Sequence, residues 1–255
     1  MELSGFRTSW ATPAAITYGT ALIGTQLNAT SGGVAGTFAY SPAAGTVLGA
    51  GTQTLSVTFT PTDSTNYNSA SDTTSLTVNK ATGVFTITSS ANPSVYGAAV
   101  SITLSGPAAA TGTITLLDGA NPIGTGTLSN GVATINVPLF LAGSHSLTAS
   151  YPGDANFLPS TSAPYTQVVN TAAVVISIAS TVNPSIYGET VTFTFTFKGV
   201  TGGAVPTGSA VVTDGVKNLG ALTLNSSGVA TFTTSALVAG THSITAAYQG
   251  DSNYH

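Results

Sequence analysis

Long stretches of this chain occur twice, and that repetition limits the possible folds more than any single residue does. Asn92-Pro93-Ser94-Val95-Tyr96-Gly97 returns as Asn183-Pro184-Ser185-Ile186-Tyr187-Gly188. Ala142-Gly143-Ser144-His145-Ser146-Leu147, running on to Tyr151-Pro152-Gly153-Asp154, returns as Ala239-Gly240-Thr241-His242-Ser243-Ile244 and Tyr248-Gln249-Gly250-Asp251. Between these anchors Leu117-Asp118-Gly119 matches Thr213-Asp214-Gly215, and Asn130-Gly131-Val132 matches Ser227-Gly228-Val229, in the same order. A shorter, more divergent copy comes first, marked by Pro13, Tyr18-Gly19, Ala50-Gly51, Leu55, Phe59, Asp63 and Asn66-Tyr67. Repetition on this scale means repeated structural units. The anchors place them at residues 1–80, 81–170 and 171–255. The joints Val78-Asn79-Lys80-Ala81 and Val169-Asn170-Thr171-Ala172 contain no Gly/Ser or Pro tract that would make a flexible linker.

Within each unit the apolar residues alternate. Val191, Phe193, Phe195 and Phe197 are separated by Thr192, Thr194 and Thr196, a period of two that predicts a strand with one buried face. Val100, Ile102 and Leu104 do the same in the second copy, as do Leu147, Ala149 and Tyr151. The predicted equivalent in the third copy runs from His242 to Tyr248. Asp118-Gly119, Asp214-Gly215, Asn130-Gly131 and Ser227-Gly228 supply tight reversals. About seven runs per unit in the second and third copies predict two-sheet sandwiches. The first unit has fewer, and Gly24 interrupts its alternation as a bulge would.

Composition agrees with an all-β chain: only 5% of residues are charged and 42% are hydrophobic, with 29 Gly and 12 Pro. Four basic residues and a net charge of −4 leave no patch to neutralise phosphates, so nucleic acid is not an expected partner. No apolar run reaches the length of a membrane span. There is no Cys, so disulfide and thiol chemistry are excluded. The opening Met1-Glu2-Leu3-Ser4-Gly5-Phe6-Arg7 lacks the basic-then-apolar pattern of a signal peptide.

The opening Asn-Pro-Ser-x-Tyr-Gly and the closing Ala-Gly-x-His-Ser-[Leu/Ile]…Tyr-x-Gly-Asp-x-Asn-[Phe/Tyr] resemble the bacterial immunoglobulin-like repeat family. The likeness covers the second and third units nearly throughout and the first more loosely. It implies three tandem immunoglobulin-like β-sandwich modules from a long secreted or surface-attached bacterial protein, with motif residues that are scaffold. The second module continues through Tyr165-Thr166-Gln167-Val168-Val169 after Asn156-Phe157, whereas the third stops at Tyr254-His255. The third module therefore lacks its last strand.

Several residues invite a functional reading. His145 and His242 titrate near neutrality, but alternation places them on the apolar face of their strands, and Gln53 takes the position in the first module. A side-chain hydrogen bond at the rim of the core fits better than catalysis. Asp63, Asp154 and Asp251 recur after a strand. Calcium would need several carboxylates to converge, so a turn-closing role fits better. Tyr18-Gly19, Tyr96-Gly97 and Tyr187-Gly188 would suit a sugar-stacking platform, or packing at a module end. Trp10, the sole Trp, is the better lone candidate for a ligand contact, against packing in the core. No paired carboxylates, metal-ligand cluster or Gly-x-Ser-x-Gly elbow is visible, and neither enzyme activity nor a cofactor is expected. The expected role is an extracellular spacer or stalk segment of a larger bacterial protein, with neighbouring domains of that longer chain as its partners. The alternatives are an adhesin or carbohydrate-binding module for a surface glycan or protein, and an assembly subunit that accepts a strand at module three.

Overall fold

The computed structural model describes residues 7–255, and no helix occurs among them. In the first module β1 (Ile16–Thr17), β2 (Gly36–Ser41), β3 (Gly51–Pro61) and β4 (Ala70–Asn79) form one sheet in the order β1-β4-β3-β2. Leu55, Val57, Leu76 and Val78 point inward from it. They are covered by turn-rich chain, held by isolated bridges Ser9↔Thr30 and Ala21↔Val47, which brings Trp10, Leu22, Leu27 and Ala29 onto the sheet. Gly24 lies in a turn and not in a bulged strand. The reason is local: the Gln26 and Leu27 N–H groups bond to Ile23 C=O at 3.0 Å, and Ile23 N–H donates to Gln26 Oε1 at 3.2 Å.

The second module contains β5 (Ala81–Thr82), β6 (Thr86–Ser89), β7 (Ser94–Val95), β8 (Val100–Ser105), β9 (Thr113–Asp118) and β10 (Asn121–Thr127). After these come β11 (Val132–Val137), β12 (Gly143–Tyr151), β13 (Phe157–Leu158), β14 (Ser160–Thr161) and β15 (Tyr165–Asn170). The sheet β11-β8-β6 faces the sheet β10-β9-β12-β15-β7. Ile102, Leu104 and Ile135 from one meet Ile114, Leu116, Leu147 and Ala149 from the other. Each large aliphatic side chain buried there contributes about 1.5–3 kcal/mol. Asn130 and Gly131 both take positive φ, 50° and 74°, as a type I′ reversal requires. A Cβ on Gly131 would lie 2.3 Å from Pro107 O, so only glycine fits. At the other hairpin Asp118 is the last residue of β9, paired with Asn121, and the loop is Gly119-Ala120. The Asp of the Asp-Gly pair thus belongs to the strand, which leaves its carboxylate free for another partner.

The closing strand is held on both edges. β15 runs antiparallel to β12, with Val169 opposite Gly143 and Gln167 opposite His145, and parallel to β7, with Val169 opposite Ser94. The first module repeats this with β4, whose Val78 lies opposite Gly51 of β3 and Ile16 of β1.

In the third module β16 (Val174–Ser180), β17 (Val191–Gly199) and β20 (Val229–Thr234) form one sheet. β18 (Ser209–Asp214), β19 (Lys217–Thr223) and β21 (Ile244–Tyr248) form the other. Phe193, Phe195 and Phe197 of β17 are buried, with Thr on the alternate positions. The module has six strands, and the strand anticipated from His242 starts only at Ile244. Its counterpart β12 starts at Gly143 because β15 pairs with that end; no strand pairs with residues 240–243, where the backbone of Ser243 alone is held, its N–H by Asp214 Oδ1 and its C=O by Gly215 N–H. Leu147, Ala149 and Tyr151 are buried, whereas Ile244, Ala246 and Tyr248 are only partly so. Hydrogen exchange should register the difference: amides of residues 240–242 should exchange at least about ten-fold faster than those of 143–145, as for an edge of low local stability. Equal protection of the two segments would contradict this account of the third module.

Candidate functional site: the joints between modules

The tip Asp-x-Asn-aromatic of each later module touches the module before it. Asn156 Oδ1 accepts the Ala50 N–H at 2.9 Å, and Asn253 Oδ1 accepts the Ala142 N–H at 3.0 Å. Ala50 and Ala142 are the same position of the Ala-Gly motif in successive copies. The aromatic beside each Asn meets the Tyr of the preceding Tyr-Gly motif. Tyr18 and Phe157 lie 5.3 Å apart with ring planes at 81°, and Tyr96 and Tyr254 lie 5.1 Å apart at 89°. These are edge-to-face pairs, each worth about 0.5–1.5 kcal/mol beyond the area it buries. The connecting chain is fastened beneath the same tip: Ala81 N–H bonds to Asn156 C=O and Ala172 N–H to Asn253 C=O, both at 2.9 Å.

The second joint is the more extensive. Thr201 Oγ1 donates to Tyr96 C=O, Ala204 N–H donates to Tyr96 Oη at 3.0 Å, and Tyr254 Oη bonds to the carbonyls of Gly202 and Ala204. Tyr96 and Tyr254 are both buried and belong to the core of the second module. Gly203 is needed for this approach, because a Cβ there would lie 2.6 Å from the Tyr96 ring.

The recurring Asp residues organise the tips. Asp154 Oδ1 accepts the N–H groups of Asn156 and Phe157 at 2.7 and 2.8 Å, while Oδ2 accepts Thr111 N–H and Oγ1 at 2.9 Å. Asp251 does the same with Asn253, Tyr254 and Thr207. Asp63 accepts from Thr65 and Asn66. Burial raises the Asp154 carboxyl, but the N–H donors of Thr111, Asn156 and Phe157 outweigh it and hold the group well below the ordinary carboxylate range. The same balance lowers Asp251, with Thr207 supplying the first of the opposing bonds. Both oxygens of Asp154 and Asp251 are thus occupied by protein donors.

His145, in β12, and His242, just before β21, lie at the far end of the strand that leads into each tip, whereas His255 Nδ1 is 2.9 Å from Thr171 Oγ1 in the second connector. His145 Nδ1 is 2.6 Å from Asp118 Oδ2, and its Nε2 is 2.9 Å from Leu141 C=O. His242 pairs likewise with Asp214 at 2.5 Å and Val238 C=O at 2.8 Å. Gln53 Nε2 donates to Gly49 C=O at 3.0 Å, the same contact four residues back in the first module. Both ring nitrogens of His242 face acceptors, an arrangement satisfied fully only by the imidazolium. The Val238 carbonyl and then Asp214 raise its pKa, and His242 in turn lowers that of Asp214. Sequence reasoning missed this pairing. The signal was present: His and Asp-Gly occur together in the second and third modules and are absent together from the first.

The remaining candidates are scattered. Trp10 is buried in the first module, its Nε1 donating to Gln26 C=O at 3.0 Å and its ring against Tyr40, so it offers solvent no open face. Tyr96 is 1% exposed and Tyr187 is 78% exposed, so the three Tyr-Gly motifs form no common platform. Gly19, Gly97 and Gly188 take φ of 94°, 86° and 83°, a region that favours glycine.

Because the folded-state pKa of His242 is raised, its contribution to stability is fully present below the unfolded value of about 6.5. That contribution is lost as pH rises through the higher folded value. His242→Gln should fold, keep the bond to Val238 C=O as Gln53 does in its own module, and lose this pH dependence. Thermal melts between pH 5 and 9 check it, and an unchanged pH profile in the variant would contradict the assignment.

No curated protein matches the chain. Among solved structures, fibronectin(III)-like modules of Clostridium thermocellum CbhA are 17% identical with a TM-score of 0.28, over 67% of this chain and 87% of that one. The Escherichia coli adhesin FdeC is 14% identical with a TM-score of 0.31, over 83% and 73%. Bacteroides ovatus SGBP-B, in complex with a mixed-linkage heptasaccharide, is 16% identical with a TM-score of 0.22, over 96% and 63%. Likeness at this level carries no argument about function. The family model for the bacterial Ig-like domain (group 3) matches residues 87–170 and again 178–255. Since those two matches span more than half of the chain, the protein belongs to the bacterial Ig-like domain (group 3) family.

Proposed function

We propose that this chain is a non-catalytic spacer or stalk segment of a larger extracellular bacterial protein, built of modules bounded near residues 80 and 170. The observation that carries the reading is the joint made twice from the same parts. At both places an Asn side chain bonds to the Ala of the preceding Ala-Gly motif, and an aromatic meets the preceding Tyr. A joint reproduced at equivalent positions in an otherwise diverging repeat is under the same physical demand each time. Holding one module at a fixed angle to the next is such a demand. The tip Asp residues, both of whose oxygens are engaged in the later modules, serve to present Asn156 and Asn253 to the neighbour. The short connectors act in the same direction, since neither contains a flexible tract. A strand of about eight residues rises about 3.3 Å per residue. With its loops each module is then roughly 35 Å long, and three in line would reach on the order of 100 Å. Family membership supports a place on a bacterial surface.

Small-angle scattering tests the reading. The parent should give an extended particle with a radius of gyration well above the roughly 18 Å of a compact domain of this length. Replacing Asn253 by Ala, which removes the bond to the Ala142 N–H, should broaden its distance distribution while circular dichroism stays unchanged. A compact particle in the parent would overturn the spacer reading.

A further inference from the structure

The two joints share an Asn bond and an aromatic pair, but the third module reaches further into its predecessor than the second does. The cause is a longer connection. Leu104 and Phe195 both lie opposite the Ala that follows the turn, Ala133 and Ala230, and Thr111 and Thr207 both donate to their tip Asp. Between those fixed points the second module has residues 105–110 and the third has residues 196–206. The extra chain lies on the Tyr96-Gly97 corner. Thr201 Oγ1 donates to Tyr96 C=O, and Ala204 N–H donates to Tyr96 Oη at 3.0 Å. A Cβ on Gly97 would lie 2.7 Å from Gly202 O, whereas one on Gly19, its counterpart in the first joint, would meet nothing within 4 Å. Tyr254 holds this segment in shape, its Oη donating to Gly202 C=O at 2.7 Å and to Ala204 C=O at 2.6 Å. Phe157, at the same place in the second module, has no hydroxyl with which to do so. Burial follows the contacts: Tyr96 and Ala172 are buried, whereas Tyr18 and Ala81 are only half-buried. The Tyr18 hydroxyl has no hydrogen-bond partner among the described residues. The first joint adds one contact of its own, from the exposed Lys80, whose Nζ donates to Asp154 C=O at 2.5 Å.

We infer that segment 200–206 is a latch that locks residues 81–255 into one rigid body, and that the chain bends at the joint near residue 80. Motion between neighbouring domains is the default where their interface is small. The first joint stays near that default, with the Asn156 bond, the Lys80 contact and one ring pair across it. In the second joint the following module engages the ring, the hydroxyl and the carbonyl of Tyr96 together. A rotation there must break these contacts at once and strip the Ala204 N–H of a partner in a partly buried place. The inference rests on the spacer reading and deepens it: the rod is a stiff arm of two modules with a first module that swings.

The chain has no Cys, so spin labels on introduced cysteines report chosen pairs alone. Ser75, Thr134 and Thr231 are exposed strand positions, one in each module. Ser75→Cys with Thr134→Cys spans the first joint, and Thr134→Cys with Thr231→Cys spans the second. Pulsed dipolar spectroscopy of the whole chain should give a distance distribution at least about two-fold wider across the first joint than across the second. Tyr96→Phe with Thr201→Val removes two latch bonds with little change of shape, and should widen the second distribution towards the first. Amide NMR relaxation of the parent gives a readout without variants: residues 81–170 and 171–255 should tumble with one correlation time and the first module with a shorter one. Equal widths at the two joints, or separate correlation times for the second and third modules, would overturn the inference. So would a second distribution that the double variant leaves unchanged. An extended particle with equal widths would sink the latch and leave the spacer reading standing, whereas a compact particle would sink the spacer reading itself.

Discussion

Each complete module ends on a strand gripped along both edges, and the rest of the molecule depends on that grip. Because β4 and β15 lie between the opening edge of their module and its penultimate long strand, the chain leaves the sandwich at a fixed place and in a fixed direction. Asn79 and Asn170 are the last residues held, and Ala81 and Ala172 are already bonded under the tip of the following module. A single residue, Lys80 or Thr171, lies between those anchors. The following module must therefore sit with its Asp-x-Asn-aromatic tip against the Ala-Gly and Tyr-Gly corners of its predecessor. The third module, without such a strand, shows the consequence in a shortened β21 and an exposed Tyr187.

Few ionisable groups are present, and most of those described are used internally. Asp154 and Asp251 close tips, while Asp118 and Asp214 hold the histidines. In a chain with 5% charged residues the surface is covered largely by Thr and Ser from the outward faces of strands. This explains why titratable residues recur so regularly without gathering into one site. Each belongs to its own module's turn or strand, and the repeat keeps the copies apart.

Much of the sandwich was legible because β17 and β12 alternate apolar and hydroxyl residues so strictly, and because Asn130-Gly131 admits one turn type. The covering layer of the first module was not legible: there Trp10, Leu22 and Leu27 reach the sheet from turns, which carry no period. The joint was half visible. Tyr18, Tyr96, Asn156 and Asn253 were all conspicuous as repeated residues, but each was read within its own module. The partner of a repeated residue can lie in the next copy, and alternation along one strand contains no information about that. The Asp118–His145 pairing was hidden for a different reason, since an Asp before Gly reads as turn chemistry until the register shows it closing the strand.

The central claim is that an Asn side chain from each module is bonded to the backbone of the module before it. Hydrogen exchange at Ala142 tests this most directly, because its N–H has Asn253 Oδ1 as partner across the joint. The account predicts that the Ala142 amide is protected in the parent and becomes fast in Asn253→Ala, while amides of the second module's core strands are unaffected. Exchange of Ala142 at the unprotected rate in the parent would show that the joint is not made in solution.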